Sequence, residues 1–418
     1  MPVLLAPTAT AAPRTAAGAA VSGAAASAPA LATAYQLTAA DRRMASKLSA
    51  RATTAGFGRY FSGTVVDVAS NKIVWSRAGG TGRMPASTAK LVTATNALTV
   101  FGPAHRFRTS VYRGSSWGTV VLVGGGDPSL TTANLSALAN ATAARLRANG
   151  RTRVVVKADD WLFSAPSLAS GWKASYVPTD VRAVRALVVD QHHAKDTTLD
   201  AAAVFAARLR AAGIAVTSVG RAKRPAGSPW IASVGGQRLD AIVRRMMLVS
   251  DNDHAEALHR LVAHQRKYPT TWTGAHQAQR STMAREGVYL TDTALKDGSG
   301  LSRTARTTTT QLARVVDNIL EPGQADLAVL RDGGMPVSGR TGTLRASYGR
   351  FTTAPSRCAA GRVVAKTGTL NDAAALAGWT RGTDGRVKAF AFVVNYRKAD
   401  LAQKRRIDAL AATVTGCY

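Results

Sequence analysis

Hydrophobic periodicity changes repeatedly along this chain, and each change predicts an element. Tyr60 to Ser70 and Lys72 to Ser76 alternate apolar and polar positions, the period of a half-buried strand, and Ser70-Asn71 between them predicts a hairpin turn. From Ser87 the apolar residues Leu91, Ala94 and Leu98 recur at helical spacing until Gly102-Pro103 ends the element. Between Phe107 and Gly236 the pattern shifts to short strand-like runs, Thr119 to Val123 and Arg153 to Lys157. These are mixed with Ala-rich helical stretches at Leu135 to Ala148 and Leu199 to Ala212. This middle section reads as a small mixed domain of its own. Helical periodicity returns at Leu239 to Val249, after Asp253, and at Thr310 to Leu320. A strand at Arg362 to Ala365 precedes a hairpin of Ala375 to Trp379 with Val387 to Asn395 across Asp384-Gly385, and a last helix runs from Asp400 to Ala412. No internal repeat interrupts this order.

A length of 418 residues makes two domains the starting expectation. Hydrophobic residues at 46% and charged residues at 19% are ordinary globular usage, and no run of about 18 apolar residues predicts a spanning helix. Charge does change the picture: 54 Lys and Arg against 24 Asp and Glu leave +30, a field that attracts polyanions. No zinc-finger spacing or aromatic RNA-binding signature accompanies it, and the basic residues are scattered, so nucleic acid is not the expected partner. Anionic wall polymers or lipid head groups suit an exported protein better, with a plain solvated basic surface as the alternative.

Residues 1–34 carry Arg14 as their one charge and end in the small-residue run Ala30-Leu31-Ala32-Thr33-Ala34. They read either as an export segment without the usual basic start and apolar middle, or as an unstructured linker. Cys358 and Cys417 are the two cysteines. They form either one disulfide, suited to an oxidising compartment, or two buried thiols. No Cys-x-x-Cys or His-Glu-x-x-His pattern suggests a metal, so His192, His193, His254, His259 and His276 read as surface or structural residues. No cofactor is expected.

Three short motifs carry chemistry. Ser87 and Lys90 lie one helical turn apart, where an amine made neutral by desolvation can take the proton of a poorly nucleophilic hydroxyl. Ser170 and Lys173 repeat the spacing in a loop-like context and form a decoy. Ser250-Asp251-Asn252 falls between two helical stretches. A helix N-cap is the plain explanation of such a triplet; the functional one is a loop in which Ser250 relays a proton and Asn252, both donor and acceptor, grips an amide. Lys366-Thr367-Gly368-Thr369 follows the strand Arg362 to Ala365. It reads as a turn, or as a pocket in which the Lys charge and Thr hydroxyls bind a carboxylate while Gly368 leaves room for the backbone to approach a ligand edge-on. Arg340-Thr341-Gly342-Thr343 competes with it.

Ser-x-x-Lys, Ser-Asp-Asn and Lys-Thr-Gly in this order are the signature of penicillin-binding proteins and class A β-lactamases. The finer resemblance is to the class C low-molecular-mass penicillin-binding proteins, the D-Ala-D-Ala carboxypeptidase and endopeptidase family. It is carried by Gly124 to Leu130, Asp159 to Phe163, Ala255-Glu256 after the second motif, Asp297 to Arg303, and Gly342 to Arg345 ahead of Lys366. It covers nearly everything after residue 35, and it favours Lys366 over Arg340 because the family places a Gly-Thr-Leu run before the true Lys-Thr-Gly strand.

The resemblance implies an α+β fold: a transpeptidase/β-lactamase-like antiparallel sheet flanked by helices, with a smaller mixed α/β domain inserted between the first two motifs. The domains expected are 1–34 as leader, 35–105 with 237–418 as the catalytic part, and 106–236 as the insertion, without the additional module that some members carry. It further implies that Ser87 attacks the carbonyl between two D-alanines with Lys90 as base, that Ser250 passes a proton to the leaving amine, and that Asn252 holds the substrate amide. Lys366 and Thr367 would hold the terminal carboxylate, and the N–H groups of Ser87 and Thr369 would form an oxyanion hole. The implied partners are peptidoglycan stem peptides, with β-lactams as inhibitors, outside the cytoplasm. A β-lactamase and a catalytically idle wall-binding or penicillin-sensing protein are the competing readings.

Overall fold

The alternating segment after Tyr60 folds as the expected hairpin, β1 (Phe61–Asp67) pairing antiparallel with β2 (Lys72–Arg77), with a register shift between Val65 and Val66. The computed structural model describes residues 36–418, so the leader expected at 1–34 lies outside the described residues. The hairpin extends through β10 (Val387–Asn395) and β9 (Ala373–Arg381) to β8 (Val363–Leu370), giving an antiparallel sheet in the order β2-β1-β10-β9-β8. β8 is an edge strand, and it is longer than sequence periodicity suggested. Lys366 to Thr369 lie within it rather than in a turn after it.

A second sheet, ordered β6-β5-β4-β3-β7, is built from β3 (Arg106–Arg113), β4 (Thr119–Val123), β5 (Arg153–Asp159), β6 (Ala215–Arg221) and β7 (Trp230–Arg238). β4, β5 and β6 run parallel, and β3 joins antiparallel to both β4 and β7. Parallel neighbours need crossovers, supplied here by α3 (Thr132–Arg147) and α4 (Thr197–Ala211). Leu135, Leu138 and Leu146 of α3 and Phe205 and Leu209 of α4 share one apolar core with Val120, Leu122, Val154 and Val156. Periodicity missed β3, although Phe107, Thr109 and Val111 are buried in strict alternation. It also missed α1 (Ala39–Thr54), whose inward stripe is only Asp41, Met44, Leu48 and Ala52.

Helices fill the rest of the molecule. α2 (Lys90–Phe101) is buried along nearly its whole length, packed by α5 (Leu239–Val249), α6 (Asn252–Gln265), α7 (Trp272–Arg285) and α8 (Thr309–Leu320). α8 also packs on β1, β9 and β10. After the short α9 (Ala328–Arg331), α10 (Leu401–Val414) lies against β9, β10 and α1. No helix among the described residues is long and apolar enough to cross a membrane.

An ion pair, a hydrogen bond from Arg405 to the Gly349 carbonyl and a disulfide tie the loop at 349–360 to α10 and the residues after it. Arg350 donates from Nε to Oδ2 of Asp408 at 2.8 Å and from Nη2 to Oδ1, both residues being buried. Cys358 and Cys417 are bridged, so the pair is a disulfide and not two thiols. The bridge closes a sequence separation of 59 residues, for which loss of chain entropy in the unfolded state predicts about 4 kcal/mol of stabilisation. The Cys358→Ser variant should unfold at correspondingly lower urea concentration than the oxidised protein. Reduction should bring the unsubstituted chain to the same midpoint.

Candidate active site

The helix carrying Ser87 starts later than periodicity suggested. Ala86, at φ +46°, turns the chain into a 3₁₀ segment, Ala86–Ala89, and the α-helical part begins at Lys90. In a 3₁₀ turn residues three apart eclipse one another, so Ser87 and Lys90 still face each other. Lys90 Nζ donates to Ser87 Oγ at 3.0 Å, to Asn252 Oδ1 at 2.7 Å and to the Ser299 carbonyl at 2.8 Å. Lys90 is fully buried, and burial lowers its pKa to about 8 against the opposing pull of Glu256 and Asp297. A serine hydroxyl held against such an amine can be deprotonated near neutral pH and can attack a carbonyl.

The second motif divides between a helix cap and the cleft wall. Asp251 is an N-cap, its side chain accepting the His254 N–H at the start of α6 at 3.1 Å. Ser250 ends α5 in the left-handed conformation at φ +64°, and this sharp link turns its hydroxyl and the Asn252 amide towards Ser87. Asn252 Nδ2 donates to the Asp180 carbonyl at 2.8 Å, so both of its polar atoms already have partners.

Lys366, also fully buried, donates from Nζ to Ser250 Oγ at 2.9 Å and to the Thr367 carbonyl at 3.0 Å. Burial first and the neighbouring Lys90 second push its pKa well below the usual lysine range. Gly368 has a different role from the one expected. A Cβ there would lie 2.7 Å from the Pro85 carbonyl and 3.1 Å from Ala86 Cβ, so the space it leaves is filled by the turn carrying Ser87 and not by a ligand. Gly368→Ala should therefore leave the sheet intact but displace Ser87. Acylation by a fluorescent penicillin should slow by about 10²-fold, the scale of a 1 Å misplacement, with the unfolding midpoint little changed.

Glu256 and Asp297 lie within stretches that carry the family resemblance, but local spacing points to no role for either. Both are buried behind Lys90. Glu256 accepts the N–H groups of Gly298 at 2.9 Å and Ser299 at 2.7 Å, holding the loop whose carbonyl meets Lys90. Burial, then the adjacent Asp297, raises its pKa to about 7. Asp297 accepts from Gly300 N at 3.0 Å, Ser302 N at 2.7 Å and Trp172 Nε1 at 2.6 Å. The decoy at 170–173 thus contributes its tryptophan, while Ser170 is exposed and faces Thr304. Gly300, at φ +82°, passes so close to the Ser87 turn that a Cβ would fall 1.9 Å from the Ala86 carbonyl.

Ser87, Ser250, Asn252, Thr367 and Thr369 line one cleft of about 520 Å³, together with Asp180, Leu301, Thr343, Tyr348, Arg350, Leu401 and Lys404. The second decoy is part of this wall: Thr343 Oγ1 lies 2.7 Å from Thr367 Oγ1. Among the described residues no group of three or more His, Cys, Asp or Glu side chains could hold a metal ion. His254, with Nδ1 3.2 Å from Asp251 Oδ1, instead braces the second motif.

Residues 44–192 and 177–415 match the profile of the D-Ala-D-Ala carboxypeptidase 3 (S13) family. The chain belongs to that family. Its relatives include a carboxypeptidase of Mycobacterium tuberculosis, 31% identical over 374 residues, which span 85% of this chain and 80% of the relative. Another is the carboxypeptidase DacB of Mycolicibacterium smegmatis, 31% identical over 396 residues, or 90% of this chain and 84% of the relative. Among solved structures, penicillin binding protein 4 of Haemophilus influenzae superposes with a TM-score of 0.74 at 21% identity, covering 88% of this chain and 98% of that one. At that identity the likeness shows the fold, which is the α+β arrangement that the family resemblance implied.

Proposed function

We propose that this S13 family member hydrolyses D-alanyl-D-alanine bonds of peptidoglycan stem peptides or cross-links through an acyl-enzyme on Ser87. The observation that carries the reading is the pair of buried lysines behind one cleft, Lys90 on Ser87 Oγ and Lys366 on Ser250 Oγ, whose two serines line it. Lys90 takes the Ser87 proton as the carbonyl is attacked, and Ser250 passes a proton to the departing amine. Lys366 and Thr367 bind the terminal carboxylate, whose negative charge favours the protonated form of Lys366 against the effect of burial. Asn252 holds the substrate amide, exchanging its bond to the Asp180 carbonyl, and the N–H groups of Ser87 and Thr369 receive the oxyanion. Water then releases the acyl group.

The division into 35–105 with 237–418 and an insertion at 106–236 belongs to the same reading. It is supported by the second sheet, all of whose strands fall within 106–238. Export to the cell wall space and attraction to anionic wall polymers are supported by the disulfide and the +30 charge. Incubation with a fluorescent penicillin and then with diacetyl-Lys-D-Ala-D-Ala tests the reading. Long-lived labelling together with release of D-Ala is expected. Rapid turnover of label without peptide cleavage would identify a β-lactamase instead, and stable label without cleavage a penicillin sensor.

A further inference from the structure

The cleft does not end where the carboxylate of a terminal D-alanine would sit. Thr343, bonded to Thr367, leads the wall on to Tyr348, Arg350, Leu401 and Lys404. The one acid in the lining is Asp180, whose backbone oxygen meets Asn252. The lining thus holds two cations, Arg350 and Lys404, against a single acid.

Lys404 stands out on this wall. Its ammonium makes no hydrogen bond or ion pair among the described residues. The two acids close enough to influence it are already engaged. Asp400 caps α10 by accepting the Gln403 N–H at 2.9 Å, and Asp408 takes both Nε and Nη2 of Arg350. Leu401, one turn before Lys404 on the same helix, adds an exposed apolar surface beside the charge. Burial first and Arg350 second lower the pKa of Lys404, against Asp400 and Asp408, which raise it. A half-buried cation with no partner in a cleft is open to pair with an anion that enters it.

We infer that Lys404, with Arg350 behind it, forms a subsite for a second carboxylate carried by the leaving segment of the substrate. The inference rests on the catalytic reading proposed above, which puts the first carboxylate at Lys366 and Thr367. Beyond that point a single D-alanine supplies nothing to reach Lys404, whereas a leaving segment with an aliphatic arm ending in an acid would lay the arm on Leu401 and the acid on the ammonium. The subsite thus selects longer, acidic leaving groups, such as the second strand of a cross-linked peptide, over terminal D-alanine.

Two peptides that differ by one charge test this: diacetyl-Lys-D-Ala-D-Glu and diacetyl-Lys-D-Ala-D-Gln. The unsubstituted enzyme should cleave the D-Glu peptide with about tenfold higher kcat/KM, the scale of one hydrogen bond to a charged group. The gain should fall on KM because the contact is made in ground state and transition state alike. Lys404→Arg should keep the ratio, Lys404→Gln should bring it to about one, and Lys404→Glu should invert it. Penicillin labelling of each variant reports that it has folded. A ratio near one in the unsubstituted enzyme, or a preference that survives Lys404→Gln, would overturn the subsite while cleavage of diacetyl-Lys-D-Ala-D-Ala leaves the catalytic reading standing. Failure to cleave any of the three peptides would remove both.

Discussion

Replacing Ser87 by alanine is expected to abolish covalent labelling by penicillin and to reduce D-Ala release by a factor on the order of 10⁶, the scale of removing a nucleophile that acts as one unit with its base. The whole effect should appear in the chemical step. Ser87 is half-buried in the cleft wall, and the groups proposed to bind substrate, Asn252, Lys366 and Thr367, sit on other elements, so the substrate should still bind. Isothermal titration with diacetyl-Lys-D-Ala-D-Ala would separate intact binding from lost turnover. Ser170→Ala provides the matched control. It shares the Ser-x-x-Lys spacing, yet its hydroxyl faces Thr304 at 3.3 Å in an exposed loop, and labelling of that variant should equal that of the unsubstituted enzyme. Label on Ser170 in a peptide digest, or retained label in Ser87→Ala, would contradict the assignment.

The second large effect concerns Lys90, the proposed base. Lys90→Met keeps most of the apolar length but removes the amine, and acylation should slow by about 10²–10⁴-fold, the usual contribution of a positioned general base. The pH dependence follows from the environment. Burial brings the Lys90 pKa down to about 8, and only the neutral amine can accept the Ser87 proton. The acylation rate of the unsubstituted enzyme should therefore rise with pH and reach half its maximum near 8, falling as acid protonates the amine. In Lys90→Met this rise should vanish together with the rate. Stopped-flow acylation across the range would detect both changes, and an unsubstituted enzyme with a flat profile through 8 would exclude Lys90 as the base.

The three motifs were legible because each depends on few residues. Ser87 and Lys90 meet through a three-residue spacing that holds in a 3₁₀ turn as well as in an α-helix. Ser250 to Asn252 could be placed between helices from periodicity on either side. What periodicity alone could not settle was which of two equal patterns is chemical. Ser170 to Lys173 repeats the serine and lysine of Ser87 to Lys90 at the same spacing, but Lys173 is extended, at φ −83° and ψ +143°, so no helical face brings its amine back to the serine. Elements with weak amphipathic contrast escaped as well. α1 turns inward a carboxylate, Asp41, beside Met44, Leu48 and Ala52, and most of the apolar gain from such a stripe comes from partners it meets only after folding.

By itself, then, the sequence determined the chemical inventory of this protein: a serine with a lysine one turn away, a Ser-Asp-Asn link between helices, a Lys-Thr-Gly strand, and the hairpins and helices that carry them. These follow from local spacing and backbone preference. The tertiary structure alone decided the surroundings that give the inventory its reactivity. Sheet order puts edge strand β8 against the turn at Pro85 and Ala86, which makes Gly368 a packing position. Closure of α6 and the 297–302 loop over Lys90 buries Glu256 and Asp297 beside it. Anchoring of α10 through Asp408 and Cys417 brings Lys404 to the cleft. Burial, charge proximity and close backbone approach all join residues far apart in the chain, and no local rule reaches across that distance.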